Sequence, residues 1–333
     1  MKQNNIILSI IVPVYNVEKY IKQCLESIVS QNVDKDYYEV IVVNDGTQDT
    51  SMDIVYNYTS KCNMRVLNQI NQGLSVARNN GLSASSGRYV WFVDSDDWLL
   101  PNSIQTVLNE IDNSNSDVIS SPLLCCREKD SYQYVEFVPK DKILSGKGYL
   151  WKGYSKGASQ RFIIKKQFLD INKVTFYPGI LHEDGLFGNQ MLYLAESVTI
   201  LQKPVYAYRI RYNGSIMSSV KIKSAYDLLF IHKELLHFMN QKVHCNDYVK
   251  YKICINTVLY SLLLFCIRIK DTEEFKKFYK ANLSYIRSQS IVLWKSPKYW
   301  LKAVVMCSYP LHLIMFRQSL RSLKQNLLKR NNK

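Results

Sequence analysis

Gly87-Arg88-Tyr89-Val90-Trp91-Phe92-Val93-Asp94-Ser95-Asp96-Asp97 reads as a buried strand that ends in three carboxylates within four positions. Val90, Phe92 and Val93 belong in a core; Asp94, Asp96 and Asp97 do not. Open α/β sheets bind their ligands at the carboxyl ends of the strands, which is where this segment delivers its acids. Clustered carboxylates repel one another unless a cation or hydrogen-bond donors offset the repulsion. Two of them one residue apart suit a hard divalent ion that also holds substrate phosphates. The competing reading makes Asp96 or Asp97 the cap of the helix that follows Pro101.

Outward from this strand, the first 120 residues alternate strand and helix signals. Leu8–Val14 and Glu39–Val43 are continuous apolar runs, and Arg65–Asn68 is a shorter strand. Helical spacing marks Val17–Val29, a segment from Asp49 or Thr50 to Tyr58, Gly73–Leu82 and Ser103–Ile111. Val118–Ser121 is again a strand. Such alternation predicts a mostly parallel sheet with helices on both faces, a Rossmann-like arrangement. Residues 125–180 are less regular. Phe187–Leu194 reads as a helix, Val198–Leu201 and Val205–Arg209 as strands, and the chain from Ser224 onward as helices. The predicted organisation is residues 1–122, 123–220 and 221–333: an α/β half, a less regular second half, and a mainly helical C-terminal region.

Composition excludes several classes. The eight cysteines show no C-x-x-C spacing, and the five histidines form no zinc-like cluster with them. Scattered thiols fit a reducing cytosol better than a disulfide framework. The apolar run Ile6–Val14 ends at Pro13, Tyr15 and Asn16 without a small-residue cleavage site, so it reads as a first strand and not a signal peptide. Charge is unevenly spread. Residues 1–120 hold 8 basic and 14 acidic side chains, whereas the remainder holds 35 basic and 14 acidic. An anionic partner for the basic part is implied. Val258–Ile267 is too short to span a bilayer. In Leu313, Phe316, Leu320, Leu323 and Leu327 an apolar stripe is flanked by Arg317, Arg321 and Lys324, with Trp294, Tyr299 and Trp300 upstream. That pattern suits a basic helix lying on a membrane surface; the competing reading is a helix packed on its own domain.

Four motifs in order carry a resemblance: SIIVPVYN at 9–16, VVNDGT at 42–47, NQGLSVARNNG at 71–81 and FVDSDD at 92–97. Together they resemble the nucleotide-sugar half of glycosyltransferase family 2, the inverting enzymes of the GT-A fold. FYPGILHED at 176–184 resembles the family's acceptor-side Glu-Asp motif, and YAYRIRYNGSI at 206–216 its closing strand and loop. The resemblance implies that Tyr15 stacks on the base, that Asp45 accepts the imide N–H of uracil, and that Arg78 serves the nucleotide, with Pro13 and Ser95 beside them. It implies that Asp94 contacts ribose or sugar and that Asp96 binds Mg²⁺ or Mn²⁺. Asp184 is then the base, with Glu183 and His182 toward the acceptor. The resemblance also implies that residues 1–122 bind the nucleotide and residues 123–220 the acceptor.

The residues support parallel readings. An aromatic face after the first strand suits base stacking. A cation near a helix start, as at Arg78, is poorly placed relative to the dipole, which favours a partner elsewhere. Glu183 and Asp184 also suit a helix N-terminus. Arg209 and Arg211, two apart on a strand, share one side and can hold a diphosphate or form a solvated face. Asp97 fits a supporting or capping role.

The segment Gly153–Phe168 keeps only a loose likeness to the family, so the acceptor stays open. The chain lacks the Gln-x-x-Arg-Trp sequence and membrane spans of processive synthases, which favours single addition over polymerisation. The expected activity is metal-dependent transfer of one sugar from a nucleotide donor, UDP-linked, to a glycan or lipid-linked acceptor. The expected setting is bacterial surface polysaccharide synthesis, cytoplasmic and peripheral on the inner face of the membrane, with no nucleic-acid partner. A nucleotidyltransferase is the alternative enzyme, but it would carry a Gly-rich, lysine-bearing loop where this chain has Pro13–Asn16. A noncatalytic membrane-surface binding protein is the third reading.

Overall fold

The computed structural model describes residues 6–136, 138–154, 158–211, 222–266 and 272–291. Two compact units divide the chain, residues 1–215 and 216–333.

The first unit runs β1 (Leu8–Val14), α1 (Ile21–Val29), β2 (Tyr38–Asn44), α2 (Ser51–Tyr56), β3 (Met64–Asn68), α3 (Leu74–Ala84), β4 (Tyr89–Phe92), β5 (Trp98–Leu99), α4 (Ser103–Ser114) and β6 (Val118–Ser120). It continues with β7 (Leu123–Arg127), β8 (Gln133–Val135), β9 (Ile143–Leu144), α5 (Gly146–Trp151), β10 (Phe162–Lys165), α6 (Lys166–Asn172), α7 (Glu183–Leu194), β11 (Val198–Ile200) and β12 (Tyr206–Ile210). The main sheet has the order β3-β2-β1-β4-β10-β6-β11-β9, parallel except for β10 and β9. A second sheet is ordered β5-β12-β7-β8.

All seven residues of β1 are buried, as expected of a strand covered on both faces. Ile10, Val12 and Val14 join one core with Ile21, Leu25, Val40, Val42, Trp91 and Ile104. On the opposite face Ile41 and Val43 pack with Ala77 of α3. The period-two alternation thus divides β2 between two helical layers. Helix α3 comes very close to the sheet at Gly81, where a Cβ would overlap the Ile11 side chain.

Boundaries differ from the sequence reading at informative places. Helix α1 starts at Ile21 and not Val17, because Val17 donates its N–H to the Ser51 hydroxyl and forms a tied turn (3.1 Å). Helix α7 starts at Glu183, four residues before Phe187, so both acids lie in its first turn. Neither Asp96 nor Asp97 caps α4; Asn102, in the left-handed region, occupies that position. The irregular stretch 125–180 contains β8, β9, β10, α5 and α6.

The second unit contains α8 (Ile222–Lys242), α9 (Tyr248–Cys266) and α10 (Thr272–Ser290), as the helical reading expects. Ala225, Leu228, Leu259, Leu262, Phe278 and Ile286 form its core. Among the described residues no helix is long and apolar enough to cross a membrane. The amphipathic stripe Leu313–Leu327 and the aromatics Trp294, Tyr299 and Trp300 lie outside the described residues, as do positions 212–216 of the closing motif.

Candidate active site

Strand β4 stops at Phe92, and the chain bends to carry Asp94, Ser95, Asp96 and Asp97 along the sheet's carboxyl edge. Oxygens of Asp94, Asp96 and Asp97 lie within 4.8 Å of one another. Each carboxylate has a different set of partners. Asp94 accepts from Arg78 Nη2 at 2.7 Å and from the Gln160 amide. Asp97 accepts from the Tyr206 hydroxyl and the Arg209 N–H, both at 2.7 Å. Asp96 pairs with Arg211 at 2.8 Å.

Strand register explains how these partners arrive. Antiparallel β10 pairs Ile163 with Trp91, which extends to put Gln160 opposite Asp94. In the second sheet Tyr206 pairs with Leu99 and Ala207 with Trp98, which extends to put Arg209 opposite Asp96. Tyr206 also accepts the Asp94 N–H at 3.1 Å, so one phenol fixes both ends of the acidic loop.

Burial raises the Asp97 carboxyl well above its ordinary value, and the neighbouring charges of Asp96 and Asp94 raise it further. The Asp96 carboxyl is also raised, by burial first and then by Asp94, with Arg211 opposing.

Arg78 is 1% exposed. Its guanidinium lies between Asp94 and Glu183, at 2.7 and 2.6 Å, and 5.0 Å from the Phe176 ring. The cation near a helix start is thus compensated by two carboxylates from other elements. One comes from the loop after β4 and the other from α7, so Arg78 ties the two acidic motifs together. Asp184, beside Glu183, accepts the Ala158 N–H at 2.7 Å. Burial raises the Asp184 carboxyl, as does Asp94, while Arg78 and the Gly185 N–H oppose. Glu183 is raised by burial and by Asp184 against the pull of Arg78. His182 immediately precedes α7 with φ +64°, a left-handed residue that turns the chain into the helix.

The remaining sequence candidates line the same edge. Pro13 is buried at the end of β1, and Tyr15, 45% exposed, follows it. Asp45 follows β2 and is 3% exposed. Its carboxylate accepts from Gln69 Nε2 (2.8 Å), Gln72 N (2.8 Å) and Gly73 N (2.9 Å), which orders the loop entering α3. The local turn at Gly46 is closed by Asn44, whose Oδ1 accepts the Thr47 N–H, and not by Asp45. Gly46 is required there: φ is +69°, and a Cβ would come 2.8 Å from the Asn71 nitrogen. Because β1 lies between β2 and β4, Asp45 and Asp94 leave the sheet two strand spacings apart, about 9.6 Å. Ser95 is buried between the acids.

Arg78, Asp94, Asp96, Glu183, Asp184, Arg209 and Arg211 form one network. Pro13, Tyr15 and Asp45 stand beside it, at the ends of β1 and β2. Sequence reasoning missed Gln160, Tyr206 as an anchor, and Tyr20 and Trp98, whose rings receive the Arg209 guanidinium at 5.0 and 4.7 Å. Gln160 has no sequence signal; only the register of β10 reveals it. Tyr206 stands within a quoted motif and could have been found there.

The donor set fits Mg²⁺ or Mn²⁺, being carboxylate oxygen throughout. Asp96 is the best placed of the three, because both oxygens of Asp94 and Asp97 already accept hydrogen bonds from elements that build the fold.

The sequence and the fold are similar to those of known proteins. Residues 9–172 match the family model for glycosyl transferase family 2. The glycosyltransferase GlyG of Streptococcus pneumoniae is 31% identical over 224 residues, covering 63% of this chain and 73% of the relative. The glycosyltransferase GlyA of the same organism is 34% identical over 220 residues, 63% of this chain and 31% of the relative. A solved structure of Staphylococcus aureus TarS residues 1–349 with UDP shares the fold, with a TM-score of 0.66 at 20% identity, over 94% of this chain and 88% of that one. The chain is a member of glycosyl transferase family 2, with the GT-A fold. It spans less than a third of GlyA's length.

Proposed function

We propose that this chain transfers a single sugar, with inversion, from a UDP-linked donor to a hydroxyl of a glycan or lipid-linked acceptor. The observation that carries this reading is Arg78, which joins the Asp94 side to the Glu183–Asp184 side at 2.7 and 2.6 Å. An inverting transfer needs those two functions at one site: a grip on the leaving diphosphate, and a base facing the anomeric carbon from the other side.

In this reading Tyr15 stacks on uracil and Asp45 meets its imide N–H, with Pro13 and Ser95 shaping the nucleotide channel across the end of β1. Asp94 holds ribose or sugar hydroxyls. Asp96 holds Mg²⁺ or Mn²⁺, which when bound neutralises charge on the departing diphosphate. Asp184 takes the acceptor's proton; its raised carboxyl suits a general base, and the Ala158 N–H orients it. Glu183, locked to Arg78, and His182 orient the acceptor. Arg211 serves the diphosphate once donor is bound.

The setting is surface-polymer synthesis. A similar protein, TarS of S. aureus, is described as a poly(ribitol-phosphate) β-N-acetylglucosaminyltransferase, and was solved with UDP and with UDP-GlcNAc. The reading includes a cytoplasmic location with the basic C-terminal segment held on the inner membrane face. Residues 284–333 carry ten Lys/Arg and no acid, and each basic residue near an anionic surface contributes roughly 1 kcal/mol.

A panel of nucleotide sugars, scored by metal-dependent thermal stabilisation and then by UDP release, tests the reading. Asp184→Asn should keep donor stabilisation and lose turnover by roughly 10²–10⁴-fold. Loss of donor binding in that variant would make Asp184 a structural residue. For the tail, a chain shortened at Pro310 should leave anionic vesicles in co-sedimentation; unchanged binding would reject the attachment.

A further inference from the structure

Arg209 and Arg211 look alike in sequence, two apart near the end of one strand, but the structure gives them different work. Arg209 is held at several points. Its N–H goes to Asp97 Oδ1 and its Nε to the Asp96 carbonyl, both at 2.7 Å. Its Nη2 reaches Gln23 Oε1 at 2.5 Å, and its guanidinium lies near the Tyr20 and Trp98 rings. Moving it would dismantle the acidic loop, so Arg209 is a positioning residue. Arg211 lies one residue beyond β12. Its guanidinium is 5.2 Å from the Tyr20 ring, and among the described residues its ion-pair partner is Asp96, Nη2 to Oδ2 at 2.8 Å.

Resting on the metal reading above, we propose that Arg211 is the resident counter-ion of Asp96, and that it makes cation binding conditional on donor. Three carboxylates within 4.8 Å repel one another; Asp94 and Asp97 have donors on both oxygens, and Asp96 is left to its ion pair. In the donor-free protein Arg211 supplies the compensating charge at the one carboxylate best placed for a metal. A bare divalent ion must displace the guanidinium and offers it no anion in return. An ion arriving with a diphosphate does offer one: the ion takes Asp96, and Arg211 moves onto phosphate oxygen, where a guanidinium bonds well. Charge is exchanged and not merely expelled. Donor and metal therefore strengthen each other's binding by the same factor. Arg211, not Arg209, sets part of that factor.

The test is Mn²⁺ binding to the full chain, followed by electron paramagnetic resonance of free Mn²⁺, with and without UDP. If Arg211 holds Asp96 in about nine molecules of ten, the apparent affinity for Mn²⁺ alone is reduced about tenfold. Arg211→Gln should then bind Mn²⁺ without UDP about tenfold more tightly than the unaltered chain. Its affinity for UDP in saturating Mn²⁺ should fall. Arg211→Lys keeps the charge and should bind Mn²⁺ alone within about twofold of the unaltered chain. Thermal unfolding of each variant confirms that it is folded; if Arg211→Gln is not, Arg211→Met, which also removes the charge, takes its place with the same expected gain of about tenfold.

Unchanged or weaker Mn²⁺ binding in Arg211→Gln would overturn the proposal and leave Arg211 as a diphosphate ligand only. So would Arg211→Lys binding Mn²⁺ tenfold more tightly, since charge would then not be the cause. An unaltered chain that binds UDP but no Mn²⁺, even with UDP present, would instead refute the metal reading beneath it.

Discussion

Arg78→Met is the perturbation that separates a buried bridge from a ligand residue. The guanidinium side chain is 2% exposed and meets two carboxylates from different elements, Asp94 and Glu183. Methionine fills much of the same space without the charge. Breaking a buried pair by removing one partner costs about 3–5 kcal/mol, because the remaining charges stay buried and uncompensated. Here two carboxylates are stranded, so the upper part of that range applies. One kcal/mol shifts the melting temperature by about 2–4 °C in a unit of this size, which predicts a fall of roughly 8–20 °C. Adding Glu183→Gln removes one stranded charge, and the double variant should recover on the order of 1–3 kcal/mol relative to simple addition. The assay is thermal and urea unfolding followed by circular dichroism, with UDP binding measured by calorimetry well below the transition. Unchanged unfolding together with abolished UDP binding would refute the reasoning and return Arg78 to the nucleotide.

Two further outcomes are expected. Stability should fall in acid because of His232, which is fully buried in the second unit. Its Nε2–H donates to Asn256 Oδ1 (2.6 Å) and its Nδ1 accepts from the Tyr285 hydroxyl (2.8 Å), an assignment fixed by Asn256 donating its amide to the Gln289 carbonyl. Burial lowers its pKa from 6.5 to about 4, so the unfolded chain binds the proton more tightly. The contribution is complete above pH 6.5 and is lost as pH falls toward 4, about 2 kcal/mol by pH 5; urea midpoints that match at pH 7 and pH 5 would contradict it. Gly81→Ala should cost about 1–3 kcal/mol, since its Cβ overlaps the Ile11 side chain between α3 and β1; an unaltered melting temperature would show that the helix can shift.

Much of the nucleotide half was legible because its strands are covered on both faces and its loops begin where apolar runs stop. Leu8–Val14 coincides with β1 to the residue for that reason. Helix α7 was placed four residues late because its first turn is acidic and its apolar pattern begins only at Leu186. Strand β10 was missed altogether: four residues, Phe162–Lys165, inserted antiparallel between β4 and β6, have no local signal apart from apolar character. Everything that register decides was therefore hidden, including Gln160 on Asp94. The acids themselves were legible as a motif, but their partners were not. That Arg78 turns inward, and that Arg209 and Arg211 divide their roles, depends on contacts with residues 16 to 186 positions away.

The central claim is that Asp96, at the carboxyl edge of β4, holds a divalent ion against the donor's diphosphate, with Asp184 facing the same sugar. Anomalous diffraction from crystals grown with Mn²⁺ and UDP tests it most directly. The account predicts one strong Mn²⁺ peak within coordination distance of an Asp96 carboxylate oxygen and of both phosphates, with uracil over the end of β1 beside Tyr15. A peak away from Asp96, or UDP bound at a different edge of the sheet, would contradict it.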